Sequence, residues 1–277
     1  MLRLWRDRYC VALRPDGVEL VRRRHGPQTA IDLKEAAACA PAAEGPAWGP
    51  PLIALKELLA RPRIGAGDLS VVLSNHFARF LIVPWNGELA NAVELQNYAL
   101  ACYENVFGEA AAAWEVRVSP ERAEAPRIAC AFDRTLLEGL NEAVAGSKLR
   151  LASVQPYLMV AYNRVSKAFR SKDFVFLLAE EGRACLLAAS GSLWRSVRST
   201  PLPIADPLAM AGFIEREVHL ADLDEEHVPA IYIHAPQRSA VVVPSVRGVQ
   251  PNLVQLKPVT GFSPLTDGQF AMAATAA

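Results

Sequence analysis

The sequence predicts an α/β protein built as two related halves, with a small α/β module inserted between parts of the first. Two observations carry the duplication. Each half opens on two β-type runs joined by a tight turn, Pro15-Asp16-Gly17 in the first and Glu180-Glu181-Gly182 in the second. Each then adds a third strand and a helix and returns to a strand. A third observation marks the insertion: residues 86–148 interrupt this order in the first half. The expected boundaries are 1–85 with 149–170 for the first half, 86–148 for the insertion and 171–277 for the second half. Opening antiparallel hairpins exclude an all-parallel dinucleotide-binding sheet. No short period repeats along the chain, which excludes a solenoid.

The elements follow in order. YCVALRP and GVELVRRRHG flank Pro-Asp-Gly, where proline presets φ and glycine accepts a positive φ. Residues 30–33 read as a strand within a Pro/Gly/Ala-rich stretch. Leu52–Leu59 has helical apolar spacing and stops at Arg61-Pro62. LSVVL and FARFLIV are strands parted by Ser74-Asn75-His76. Asn91–Phe107 is an amphipathic helix ending at Gly108. Trp114–Val118 and Arg127–Phe132 are strands. Asp133 N-caps a helix whose face is Leu136, Leu137, Leu140 and Val144, stopped by Gly146. That helix and helix 91–107 are expected to pack on the two strands between them. Leu149–Val154 is a strand, and Pro156 opens a helix to about Phe169. FVFLLA, RACLLAAS and LWRSVRST are strands, Pro207–Leu220 a helix, and 230–234, 240–246 and 253–259 further strands. DGQFAMAATAA closes as a helix.

The 277 residues, 52% apolar and 21% charged, suffice for a substantial core and exclude a wholly disordered chain. Lys+Arg and Asp+Glu both total 29, which argues against a net-basic nucleic-acid binder. Cys10, Cys39, Cys102, Cys130 and Cys185 are odd in number, widely spaced and without C-x-x-C, as expected of reduced thiols in an intracellular protein. Cys102 and Cys185 lie in apolar patterns and read as buried. No apolar stretch reaches the roughly 18–20 residues of a membrane helix, and the start has no signal-peptide core.

Reactive motifs are sparse. Gly65-Ala66-Gly67 precedes a strand and opens no helix, so it reads as a turn and not a dinucleotide fingerprint. There is no phosphate-binding G-x-x-x-x-G-K-[ST] and no G-x-S-x-G elbow. His219 and His227 surround four acids in HLADLDEEH, a solvated loop without metal spacing. His76 and His234 beside apolar runs read as structural. Arg3, Arg6, Arg8, Arg14, Arg22, Arg23 and Arg24 are interspersed with acids and read as a solvated strand face, with anionic lipid or a partner as the alternative.

Three segments, VALRPDGVELV, SVVLSNHFARFLIVPW and LRLASVQPYLMVAYNR leading into FVFLLAEEGRACLLAASGSLWRSVR, resemble the actin-like cytoplasmic proteins of type IV pilus and type II secretion machines. These are the PilM family, MshI and the cytoplasmic part of GspL. The resemblance implies the duplicated actin-like, ribonuclease H-like fold. It also implies three nucleotide loops in members that bind ATP. The first has the form I-D-I-G-x-x-x-V-K; laid on this sequence, its Asp is Ala12, its Gly is Arg14 and its Lys is Glu19. The second should place Asp-x-Gly at a strand end, where residues 174–179 hold no acid and Glu180 and Glu181 sit at the turn. The third, normally glycine-rich, falls on His234-Ala235-Pro236, where proline removes an amide donor.

All three loops depart together. The expectation is therefore a degenerate nucleotide site: no enzyme activity, no cofactor and no metal. The resemblance further implies a scaffold on the cytoplasmic face of the inner membrane, held there by the short cytoplasmic tail of a PilN-like partner. Arg79, Phe80, Trp85 and Tyr98, near the junction of first half and insertion, are the candidate docking residues. The alternatives are an ATPase or kinase of the same fold with divergent loops, and an unrelated α/β enzyme.

Overall fold

The computed structural model describes residues 6–24, 30–203, 206–221, 223, 229–236 and 243–277. The first sheet is formed by β1 (Asp7–Arg14), β2 (Gly17–Arg24), β3 (Ala30–Ala38), β4 (Gly67–Leu73) and β8 (Leu149–Pro156), in the order β3-β2-β1-β4-β8. The second is formed by β9 (Phe174–Glu180), β10 (Arg183–Ser190), β11 (Leu193–Pro201), β12 (Ala230–His234) and the short β13 (Asn252–Leu253), in the order β11-β10-β9-β12-β13. Both begin with two antiparallel pairings and end with two parallel ones. Strand by strand, the second sheet repeats the first, and the duplication is real.

Between β4 and β8 lies an antiparallel sheet of β5 (Arg79–Val83), β6 (Trp114–Val118) and β7 (Arg127–Asp133), ordered β5-β7-β6. The inserted sheet therefore begins at Arg79, inside the segment 1–85 assigned to the first half. α2 (Ala92–Phe107) covers it; Asn91, expected as the first helical residue, is instead its N-cap, with its side chain accepting from the Val93 and Glu94 amides. α3 (Arg134–Ala145) is capped by Asp133 as expected, but most of its packing lies away from the inserted sheet. Leu136, Leu140, Ala143 and Val144 enter the main core, mainly beside α1 (Gly49–Leu59) and β8 and to a lesser extent against β7 of the inserted sheet. An apolar helix face announces burial without naming what covers it.

Successive residues Tyr9–Leu13 are buried, so both faces of the first sheet are covered. α1 and α3 pack together on one. On the other lie α4 (Tyr157–Val165) and the C-terminal α6 (Ala271–Thr275), which touches β1, β2 and β4. Residues 271–275 thus return to the first half, although 171–277 was expected to form the second. Alternation along the second sheet is clean. Phe174, Phe176, Leu178, Cys185 and Leu187 enter the main core, while Val175, Leu177, Ala184 and Leu186 face α5 (Pro207–Leu220).

Three smaller expectations change. Of 253–259 only Leu253 lies in a strand; the segment then leaves the sheet through Pro258, and Thr260 O accepts from Ile31 N at 2.9 Å on the β3 edge. Within 240–246, residues 240–242 lie outside the described residues and 243–246 form no strand. Cys185 is buried but Cys102 only half-buried.

Candidate functional site

The duplication brings three connections together at the cleft between the halves. They are the hairpin turns after β1 and β9 and the loop after β4. The first turn carries Arg14 and Asp16, the second Glu181 and Gly182, and the loop after β4 is Ser74-Asn75-His76.

Ala12 and Glu19 are direct cross-strand neighbours in the first hairpin. Glu19 is buried, and Arg14 Nη2 lies 2.7 Å from its Oε1; Asp16 Oδ1 lies 3.2 Å from Arg14 Nε. Burial pushes the Glu19 carboxyl up to about 7, against the pull of Arg14. The second Glu19 oxygen has no hydrogen-bond partner among the described residues. Where the resemblance implies a glycine and a phosphate-facing lysine, this chain holds a cation and an anion that neutralise each other.

Across the cleft, Glu180 belongs to the strand end and not to the turn: β9 pairs on through Glu180↔Arg183. Its buried carboxylate is claimed by the first half. Ser74 Oγ donates to Oε2 at 2.6 Å, and the Asn75 backbone N–H donates to Oε1 at 3.0 Å, as does Asn75 Nδ2. Asn75 Oδ1 then accepts from Leu158 N at 3.1 Å, capping the first turn of α4 from outside the helix. One asparagine thus ties the β4 loop, the second-half hairpin and the connecting helix. Burial pushes the Glu180 carboxyl up, opposed by the bonds from Ser74 and Asn75.

The Ser74 proton goes to Glu180, so the 2.9 Å contact between Ser74 Oγ and His76 Nδ1 is a donation by the imidazole. Burial, then the Arg183 guanidinium, hold His76 down to about 4, so it is neutral. The chain His76–Ser74–Glu180 runs toward the interior and ends on a carboxylate already satisfied by Asn75. The remaining cleft, about 180 Å³, is lined by Arg14, Pro15, Asp16, Ser74, His76, Glu180 and Glu181. That is below the roughly 300–1,000 Å³ of ordinary small-molecule sites.

Pro236 is not part of this cleft. It lines a separate recess of about 10 Å³ with His234, Leu256, Pro264 and Ala271, so the C-terminal segment fills the third loop's surroundings. His234 is structural, as expected: Nδ1 meets Val254 O at 2.9 Å and Nε2 meets the Tyr157 hydroxyl at 3.4 Å. His219 is exposed at the end of α5, while His227 and its acidic neighbours lie outside the described residues.

The four docking candidates differ in exposure. Phe80 and Ile82 point from β5 into the main core, whereas Leu81 and Val83 face α2. Phe80, 8% exposed, is core and is withdrawn as a docking residue. Arg79 is exposed, yet its guanidinium lies over Trp114 and donates to the Ala78 carbonyl at 3.1 Å. Tyr98 is half-buried on α2, and Trp85 is 48% exposed beyond β5. Sequence reasoning missed Asn75, whose signal was only a polar triplet between two apolar runs.

No family model and no curated protein matches the sequence. Solved structures do share its fold. The PilM–PilN type IV pilus biogenesis complex aligns with a TM-score of 0.68 at 14% identity, over 97% of this chain and 96% of that one. The cytoplasmic domain of EpsL, an inner membrane component of the type II secretion system of Vibrio cholerae, aligns at 0.56 and 12% identity, over 98% and 94%. A Bacteroides thetaiotaomicron protein of unknown function with an actin-like ATPase fold aligns at 0.54 and 9% identity, over 85% and 84%. The fold of the chain is actin-like.

Proposed function

We propose that the chain is a non-catalytic scaffold of a pilus or type II secretion assembly, held at the cytoplasmic face of the inner membrane by the cytoplasmic tail of a PilN-like partner. The observation that carries the non-catalytic reading is the occupied cleft. The Arg14–Glu19 pair on one side and Glu180, clamped by Asn75, on the other set the chain's own charges against the cleft. A phosphate entering there would displace Arg14 from Glu19 and meet Asp16, Glu180 and Glu181.

The partner class rests on the sequence resemblance and on the likeness to a structure of PilM with PilN. A tail docks by strand addition or by apolar anchors in a groove. Trp85, Tyr98 and Arg79 supply the anchor types such surfaces favour. The test is retention of the purified chain by immobilised cytoplasmic tails of inner-membrane proteins encoded beside it, repeated with Arg79→Ala and Tyr98→Ala. Retention at micromolar concentration, weakened by either folded variant, supports the role and the surface. Equal retention of both variants moves the surface elsewhere, and no retention of the wild type refutes the tail contact.

A further inference from the structure

At one end of the first sheet β1, β4 and β8 begin and β2 finishes. The register places Arg23 of β2 opposite Arg8 of β1, Arg8 beside Asp68 of β4, and Asp68 beside Arg150 of β8. Paired residues share a face, so these four form one row across four strands. Its single carboxylate, Asp68, is taken by Arg150 at 2.9 Å and more loosely by Arg6 at 3.8 Å. Arg8 and Arg23 are left as directly opposed like charges, an arrangement that costs stability.

Arg164, near the end of α4, joins them. Arg23, Arg8 and Arg164 all act on the buried Cys10 thiol, and Arg23 and Arg164 line a recess of about 50 Å³. Arg6, Lys148 and Arg150 line a wider one of about 310 Å³. Among the described residues no carboxylate forms an ion pair with Arg8, Arg23, Arg164 or Lys148. On the opposite face Arg22 is matched by Asp32 and Asp7. Among the described side chains, six cations against one acid along this rim, in a chain of zero net charge, is a local asymmetry that folding itself does not reward.

We propose that this rim docks the protein directly on an anionic phospholipid surface, as a contact separate from the partner's tail. A row along the ends of four strands presents its charge in a line that a plane of headgroups can meet all at once, and the two recesses accept phosphodiester oxygens. Single-stranded nucleic acid would call for exposed aromatic rings to stack its bases. Among the described residues the aromatic beside the row, Tyr9, is fully buried.

The test is sedimentation of the full chain with vesicles of phosphatidylcholine alone or mixed with phosphatidylglycerol. Binding is expected only to the mixed vesicles, and it should weaken at high salt. Each cation near such a surface contributes about fivefold, so Arg8→Gln, Arg23→Gln and Arg164→Gln together should weaken binding about a hundredfold. The same triple variant should unfold at no lower temperature than the wild type, since it removes a like-charge pair. Lys56→Gln with Arg195→Gln, elsewhere on the surface, should change nothing. Equal binding to neutral vesicles, a folded triple variant that binds like the wild type, or binding inhibited equally by free inorganic phosphate and by lipid would overturn the proposal. So would tighter retention of duplex DNA or single-stranded RNA, lost in the same variant. No partner is present in this assay, so a chain that takes the tail but ignores vesicles refutes the lipid contact alone.

Discussion

Replacing Asn75 by alanine should destabilise the protein far beyond what a loop position ordinarily costs. Asn75 is fully buried, its Nδ2 donates to Glu180, and its Oδ1 accepts from the Leu158 amide. Losing a hydrogen bond to a buried carboxylate costs about 1.5–3 kcal/mol, and stranding a buried amide about 1–3 more, for a total of about 2.5–6 kcal/mol. The backbone bond from Asn75 N to Glu180 survives the substitution, which keeps the estimate from rising further. Urea unfolding of wild type, Asn75→Ala, Glu180→Gln and the double variant measures both the loss and the coupling. The two residues touch, so the cycle should show non-additivity of about 1 kcal/mol or more. A loss below about 1 kcal/mol, or strictly additive effects, would refute the clamp.

Two further outcomes follow from the same geometry. Glu19 has a raised carboxyl pKa in the folded state, so its stabilising contribution is fully present below the ordinary glutamate range and is lost as pH rises through about 7. Relative to wild type, Glu19→Gln should therefore gain about 3 kcal/mol between pH 4 and pH 8. His76, lowered to about 4, acts with the opposite sign, stabilising as pH rises from about 4 toward the ordinary histidine range, so wild type alone should show a shallower profile. No change in the difference between Glu19→Gln and wild type over that window would rule out the raising of the Glu19 carboxyl by burial. Phe80→Ala should cost about 3–5 kcal/mol as a core truncation, whereas Trp85→Ala should stay within about 1 kcal/mol. Thermal or urea unfolding separates them, and the reverse order would contradict the assignment of Phe80 to the core.

Much of the architecture was legible because its causes are local. The Pro-Asp-Gly turn, the cap at Asp133 and the two apolar runs within 174–190 are each written in neighbouring residues. What pairs across distance was not. The Glu180 carboxylate meets residues 105 and 106 positions away, and the apolar run ends at Ala179, one residue before the pairing does. The destinations of α3 and of residues 271–275 depend on which apolar surfaces remain uncovered once both sheets exist. In the nucleotide loops the substitutions at Ala12, Arg14 and Glu19 could be read off, but not that Arg14 and Glu19 neutralise each other.

The central claim is that the cleft is closed by the chain's own side chains and has no place for a nucleotide. Isothermal calorimetry of the full chain with Mg-ATP tests it most directly. The account predicts no saturable heat through the micromolar range, with Arg14 still paired to Glu19 and Asn75 still holding Glu180. Saturable micromolar binding would contradict it and would return Asp16, Glu180 and Glu181 to consideration as groups near a bound magnesium ion.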